Sequence, residues 1–253
     1  MILLVDVGNS ALKWATLGVG DLNPGGHVYL SGADAAALVD DLCSDLSVPD
    51  RVVVASVGPD AVNEALRQTV ARRWGVEAEF LRSSSSARGV INAYREPTRL
   101  GIDRWATLVA ARADGRWAAC IVDCGTAVTV DVLDSEGTHL GGLIVPGLGL
   151  MRRALEGGTQ IHPVEPSGTE GRVALFASDT YDAIQGGSLY ALVAFIDRVA
   201  RDVAVALGEA PKRYVTGGDA PAVLPLLEGR WAHRPDMVLE GLALLAEEDV
   251  CGS

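Results

Sequence analysis

One phrase occurs twice in this chain and limits what it can fold into: an apolar run that ends in Asp-x-Gly and a small polar residue. The first copy is Ile2-Leu3-Leu4-Val5-Asp6-Val7-Gly8-Asn9-Ser10, the second Cys120-Ile121-Val122-Asp123-Cys124-Gly125-Thr126-Ala127. A buried strand of this kind delivers a carboxylate to its end, and glycine lets the chain turn tightly enough for backbone N–H groups to face a ligand. A single copy would read as an ordinary hairpin corner. Two copies, with Asp6 and Asp123 117 positions apart in a 253-residue chain, point to a duplicated domain with a nucleotide between the halves. The expected division is 1–117 and 118–253.

The surrounding pattern supports an α/β reading. β-Branched runs bounded by turn residues predict strands at 2–7, 51–57, 76–81, 119–124, 127–133 and 212–216. Helices are expected in the gaps. One has Pro59 in its first turn and runs to about Trp74, where Gly75 stops it; Leu189, Leu192, Val193, Ile196, Val199, Ala200, Val203 and Leu207 trace the apolar face of another. Such alternation predicts mixed sheets flanked by helices, with ligands at the carboxyl ends of strands, where both Asp-x-Gly phrases lie. Ser83–Ser86 lacks glycine and is expected to be a mobile loop rather than a phosphate cradle.

Charge and composition exclude several classes of function. A formal net charge of −12 argues against a general binder of nucleic acid or anionic membranes, so the ligands are expected to be small. With 49% hydrophobic and 21% charged residues, the chain should fold without staples. Cys43, Cys120, Cys124 and Cys251 have no zinc spacing, and positions 120 and 124 of one strand have Cα atoms roughly 13 Å apart, too far for a disulfide. Reduced thiols and the absence of a basic leader before the first strand point to the cytoplasm. The apolar stretch Ser188–Leu207 is interrupted by Asp197, Arg198, Arg201 and Asp202 and cannot span a bilayer. His27, His139, His162 and His233 show no metal-ligand spacing, and Trp105 and Trp117 read as packing residues.

Three constellations carry chemistry. Asp6-x-Gly8-Asn9-Ser10-x-x-Lys13 offers a hydroxyl, an amide and backbone donors to phosphate oxygens, a point charge from Lys13, and a carboxylate at Asp6 that can hold Mg²⁺ through water. Asp123, Gly125 and Thr126 offer a cation ligand and a second phosphate donor. Between them lie Asn92-Ala93-Tyr94 and Gly101-Ile102-Asp103-Arg104 at an expected helix start. Asp103 there either caps the helix or accepts a hydroxyl proton. Arg82, Arg88, Arg95, Arg99 and Arg104 form a positive island in an acidic chain, either a solvated face or an attractor for an anionic substrate.

A further phrase, Val215-Thr216-Gly217-Gly218-Asp219, completes an order of phosphate, phosphate and adenosine motifs that resembles the actin, sugar-kinase and heat-shock ATPase superfamily, whose duplicated domains are ribonuclease H-like. More closely, the chain resembles the type III pantothenate kinases. The residues that carry this are Asp6 to Ser10 with Lys13, Asn92-Ala93-Tyr94, Gly101 to Arg104, Asp123 to Ala127, Gly141-Gly142-Leu143-Ile144-Val145-Pro146-Gly147, and Thr216 to Asp219, all in order. Ser10 stands where many members have Thr, and Ala93 where Gly is frequent.

The resemblance implies ATP-dependent phosphorylation of pantothenate to 4′-phosphopantothenate, the opening step of coenzyme A synthesis, by a homodimer that uses Mg²⁺ and K⁺ or NH₄⁺. It makes Asp103 the proton acceptor and assigns Tyr94, Gly101, Ile102, Asp103 and Arg104 to pantothenate. It assigns Asp6, Val7, Gly8, Asn9, Ser10, Ala11, Leu12, Lys13 and Thr126 to ATP and Asp123 to K⁺. Thr180 falls where the family places a substrate contact from the partner subunit. The Gly141–Gly147 phrase is expected to supply shape rather than chemistry. The family also includes Bvg accessory factors, so a non-catalytic regulator is one alternative, and another small-molecule kinase or phosphatase of the superfamily is a second.

Overall fold

The structure, a computed structural model, describes residues 1–30, 34–44, 46–161 and 175–251, the last four in backbone only. His162 lies outside the described residues. In β1 (Ile2–Val7) the consecutive residues Leu3, Leu4 and Val5 are all fully buried, which requires packing on both faces of the strand. β1 pairs antiparallel with β2 (Ala11–Leu17), and β2 with β3 (Leu22–Tyr29). On its other side β1 runs parallel to β4 (Arg51–Ser56), which runs parallel to β5 (Ala78–Phe80). The sheet order is therefore β3-β2-β1-β4-β5. Helices α1 (Ala35–Ser44) and α2 (Asp60–Trp74) cover one face, where Leu38, Val39, Leu42, Val62, Leu66 and Val70 meet Leu3, Val5, Val7, Val52 and Val54. Each such fully buried aliphatic side chain contributes about 1.5–3 kcal/mol. A short hairpin of β6 (Ser86–Ala87) and β7 (Val90–Ile91) then leads to α3 (Ile102–Asp114).

The second sheet repeats the first. β8 (Ala119–Cys124) pairs antiparallel with β9 (Ala127–Leu133) and parallel with β11 (Lys212–Thr216), giving the order β10-β9-β8-β11-β12 with β10 at His139–Pro146 and β12 at Ala232–His233. Between β10 and β11 come α4 (Leu148–Gly158) and α5 (Thr180–Leu207), and after β11 the short α6 (Ala220–Val223). Cys120, Val122, Cys124, Val128 and Val130 pack on Leu189, Leu192 and Ile196 of α5. Cys43, Cys120 and Cys124 are buried free thiols, and burial pushes Cys120 and Cys124 up to about 12 and Cys43 to about 11.

The last helix, α7 (Met237–Cys251), packs on α3, β1 and β4. The approach is so close that a side chain at Gly241 would run into the Ala106 backbone of α3. Accordingly, one compact unit is Met1–Arg116 with Ser135–Gly141 and the stretch from Asp236 onward, and the other is Trp117–Asp134 with Gly142–Pro235. The chain passes between them more than once, whereas a cut after residue 117 leaves two contiguous pieces. Among the described residues no helix is long and apolar enough to cross a membrane.

Several local expectations are corrected. Strands β2, β3 and β10 are additional to the expected ones. Pro24, Gly25 and Gly26 make β3 look like a loop, but it is an edge strand, which tolerates proline, and Gly25 leaves room for the Trp14 indole. Helix α5 begins at Thr180, ahead of Ser188, because the Asp179 side chain accepts from the Asp182 N–H at 2.9 Å and the Gly186-Gly187 pair does not break it. Pro59 stands just before α2 rather than in its first turn, while Gly75 ends it in the left-handed conformation as expected. The Ser83–Ser86 loop is held, since Ser83 is buried and its Oγ donates to the Leu100 carbonyl at 2.8 Å.

Candidate active site

The first Asp-x-Gly phrase is the turn of the β1–β2 hairpin. Gly8 N–H donates to the Ala11 carbonyl at 2.9 Å, and the antiparallel register sets Asp6 directly opposite Lys13, so both side chains leave on one face. Val7 and Leu12 are fully buried, which commits their side chains to the core and leaves only their backbone for a ligand. The end of β4 abuts this turn. Val57 N–H donates to the Val7 carbonyl at 3.0 Å, and a side chain at Gly58 would collide with the Gly8 carbonyl. Ser56 Oγ donates to Asn63 Oδ1 at 2.7 Å, tying that strand end to α2.

Val57 also reaches the second constellation, because a methyl group on Gly101 would sit 3.6 Å from its Cγ1. Gly101 is the N-cap of α3, in extended conformation. Asp103 is therefore in the first turn and does not cap the helix; its Oδ1 accepts from the Arg104 backbone N–H at 2.8 Å and lies where a Gly101 side chain would have to be. The helix end favours the ionised carboxylate. Arg104 is 6% exposed, and its Nη1 donates to Tyr94 Oη at 2.9 Å. Asn92 shapes the loop that carries Tyr94: its Oδ1 accepts from Tyr94 N–H at 3.0 Å, and its Nδ2 donates to the Ser84 and Pro97 carbonyls. Within the expected arginine island, Arg99 pairs with Glu96 at 2.8 Å, Arg88 approaches Glu247, and Arg104 is buried.

In the other unit the second phrase is the turn of the β8–β9 hairpin, with Asp123 opposite Thr129. Two glycine-rich segments close on it. Gly147 N–H, at the start of α4, donates to the Thr126 carbonyl at 3.0 Å, and a side chain there would collide with the Gly125 carbonyl. Gly217 has φ +92 and leaves no room for a side chain beside Asp123 Oδ1 and Cys124. Asp219 N–H donates to the Cys124 carbonyl at 2.9 Å. Burial raises the Asp219 carboxyl above its ordinary value, opposed by Arg152 and by the Leu148 N–H. Thr180 is exposed at the start of α5, lining a cavity of about 470 Å³ with Leu155, Ile161, Ile184 and Ser188.

The first unit thus brings Asp6 and Lys13 together, and separately Gly101, Asp103, Arg104 and Tyr94; the second unit carries Asp123 with Thr126, and Thr180 on a different element. Val57 and Gly58, which support two constellations, were not singled out from sequence. The signal was present, because the apolar run Arg51–Ser56 leads into Val57-Gly58-Pro59, a fourth strand followed by a glycine turn. His139, one of the four histidines without metal-ligand spacing, is 1% exposed and stacks on Tyr94.

A family model described as type III pantothenate kinase matches residues 2–202. A Nitrosococcus oceani protein named type III pantothenate kinase is 45% identical over 253 residues, covering 98% of this chain and 94% of its own. A protein of the same name from Halorhodospira halophila is 40% identical over 247 residues, covering 96% of each. Among solved structures, a candidate Baf family transcriptional activator from Campylobacter jejuni superposes with a TM-score of 0.58 at 18% identity, over 98% of this chain and 99% of that one. A candidate 2-dehydro-3-deoxygalactonokinase from Sinorhizobium meliloti gives 0.57 at 13% identity over 100% of both. At such identities these two report the fold alone, an α/β architecture with two mixed sheets flanked by helices.

Proposed function

Because the chain belongs to the type III pantothenate kinase family, it is a phosphotransferase that phosphorylates pantothenate with ATP in coenzyme A biosynthesis, and on that premise we propose how its residues divide the work. Asp103 accepts the proton of the pantothenate primary hydroxyl, giving 4′-phosphopantothenate. The observation that carries this is the placement of its carboxylate over Gly101, in one unit with the Tyr94–Arg104 pair. A carboxylate stabilised by a helix end is a weak base, but phosphoryl transfer passes through a loose transition state that needs little prior deprotonation. Tyr94, Gly101, Ile102 and Arg104 bind and orient pantothenate, with Ile102 acting through its backbone because its side chain is buried. The Gly8–Ser10 turn, the Ala11–Lys13 strand start and Thr126 hold ATP phosphates, and Lys13 adds positive charge.

The donors available support the cation assignments that the resemblance implies. Among the described residues no group of three or more His, Cys, Asp or Glu side chains could hold a metal. Mg²⁺ keeps several waters and takes one or two carboxylates together with substrate phosphates, and Asp6 fits such a role. Asp123 lies in a cradle that side chains at Gly125 and Gly217 would narrow or fill. A carboxylate among backbone oxygens fits K⁺ or NH₄⁺. When bound, the cations neutralise phosphate charge.

The second unit exposes Leu143, Ile144, Leu175 and Phe176, the last at 89%. Leu143 and Ile144 lie on β10 at the edge of its sheet, and such exposed apolar side chains support a homodimer, in which Thr180 would contact the partner's pantothenate. The buried free thiols support a cytoplasmic location.

The test is direct. Purified protein supplied with ATP, pantothenate, Mg²⁺ and K⁺ or NH₄⁺ should form phosphopantothenate, and failure to do so would overturn the activity. Asp103→Asn should lower kcat by about 10²–10⁴ with ATP binding retained; near-normal turnover would remove the base assignment.

A further inference from the structure

His139 is not among the residues that the motifs assign to any ligand, yet it is tied to the pantothenate residues through a closed frame within the first unit. The frame starts on α3, where Arg112 Nη1 donates to the Ser135 carbonyl at 2.8 Å and Nη2 to the Glu136 carbonyl at 3.1 Å. Next, the Ile91 N–H donates to the Gly137 carbonyl at 2.9 Å, and Ile91 bridges Thr138 in parallel. Gly137 has φ +94 and lies so close to the Gly89 carbonyl that no side chain fits. These contacts dock the 135–141 segment onto the β6–β7 hairpin and bring His139 to the loop that follows it.

There the His139 ring faces that of Tyr94, with centroids 6.2 Å apart and planes inclined by 15°. Tyr94 in turn accepts from Arg104 on α3, which closes the frame. A tyrosine ring has two side-chain torsions to settle. Asn92 fixes only the backbone of Tyr94; its ring has the Arg104 bond at one end, the Arg104 guanidinium 5.7 Å from its centroid, and the near-parallel imidazole at 6.2 Å.

We propose that His139 is a positioning residue for pantothenate binding, acting through Tyr94: it holds the phenol ring in the plane from which its oxygen engages Arg104. This rests on the reading of Tyr94 and Arg104 as pantothenate residues. A histidine serving only to fill the core would be replaced equally well by any apolar side chain of similar volume. One that holds a ring by stacking needs a flat ring in its place.

The experiment compares His139→Leu, which fills the space without a ring, with His139→Phe, which keeps one, and adds Tyr94→Phe and the Tyr94→Phe/His139→Leu double variant. Thermal unfolding checks that each is folded. The expected result is a pantothenate KM raised about tenfold by His139→Leu, with kcat and the KM for ATP within twofold, and recovery of most of that loss in His139→Phe. In the double variant the rise should be no larger than that of Tyr94→Phe alone, because both changes remove one interaction. Equal KM values for the Leu and Phe variants, or additive effects in the double variant, would overturn the proposal while leaving the Tyr94 assignment standing. An unchanged pantothenate KM in Tyr94→Phe would remove that assignment and the proposal with it. Should His139→Leu fail to fold, His139→Gln takes its place with the same expectation.

Discussion

Asp6 and Lys13 stand opposite each other across the β1–β2 ladder, with the Gly8–Ser10 turn between them. A carboxylate and an ammonium group thus leave the same face of the sheet beside a cluster of backbone donors. Lys13→Met keeps the length of the side chain and removes the charge. It should lower kcat/KM for ATP by about 10²–10³ and leave the KM for pantothenate within a few-fold, as initial rates at varied concentrations of each substrate will show.

Gly101 and Asp103 share one space. Gly101→Ala keeps an allowed backbone conformation, φ −55 and ψ 136, but its methyl group displaces the Asp103 carboxylate. The expected outcome is a fall in kcat of about 10²-fold, since a misplacement of about 1 Å at a reacting group costs that much. The loss of stability should stay near 1 kcal/mol, the order of a changed N-cap. Steady-state kinetics and chemical denaturation read the two effects separately.

At Gly217 two penalties coincide, a left-handed φ of +92 and a collision with Asp123 and Cys124. Gly217→Ala should destabilise the protein by about 1–3 kcal/mol. It should also raise the concentration of K⁺ or NH₄⁺ needed for half-maximal activity. Activation curves against each cation, with a thermal scan alongside, test both.

The buried thiols give a pH dependence with a definite sign. Cys120 and Cys124 are held up at about 12 in the folded protein, against 9.0 for an ordinary thiol. A raised folded value means that their contribution to stability is fully present below pH 9 and is lost as pH climbs from about 9 towards 12. Denaturation midpoints should fall across that window, and Cys120→Ser/Cys124→Ser should flatten the fall. An aromatic disulfide reagent at pH 8 should leave both thiols unmodified until denaturant is added.

The exposed apolar surface of the second unit predicts an association state. Ile144 is 60% exposed on β10, and Ile144→Asp should convert a dimer to a monomer in sedimentation velocity. If Thr180 works across that interface, the monomer will bind ATP but show a raised KM for pantothenate.

The repeated Asp-x-Gly phrase made the duplication legible, because a strand end needs few residues to declare itself. β1, β8, β9 and β11 follow from β-branched runs that packing on the strand faces reinforces. β3 was illegible for a physical reason: Pro24, Gly25 and Gly26 oppose a strand locally, and the Trp14 indole that occupies the space beside them lies on another strand. The start of α5 was hidden by Gly186-Gly187, and long-range packing keeps that helix continuous. Within the candidate site, residues bearing functional groups could be named from motif order. The residues that hold them could not, because His139 reaches Tyr94, and Gly58 reaches Gly8, only through tertiary contacts that leave no local pattern.

The return of α7 to the first unit has a consequence for synthesis. Residues of β1, β4 and α3 leave the ribosome early, but the surface that α7 covers stays bare until the far end of the chain has been made. A domain normally completes itself in the order in which it is translated. Here the unit that carries Asp103 is closed last, so a ribosome that stalls after the second unit releases a chain with an apolar face exposed and no finished catalytic half.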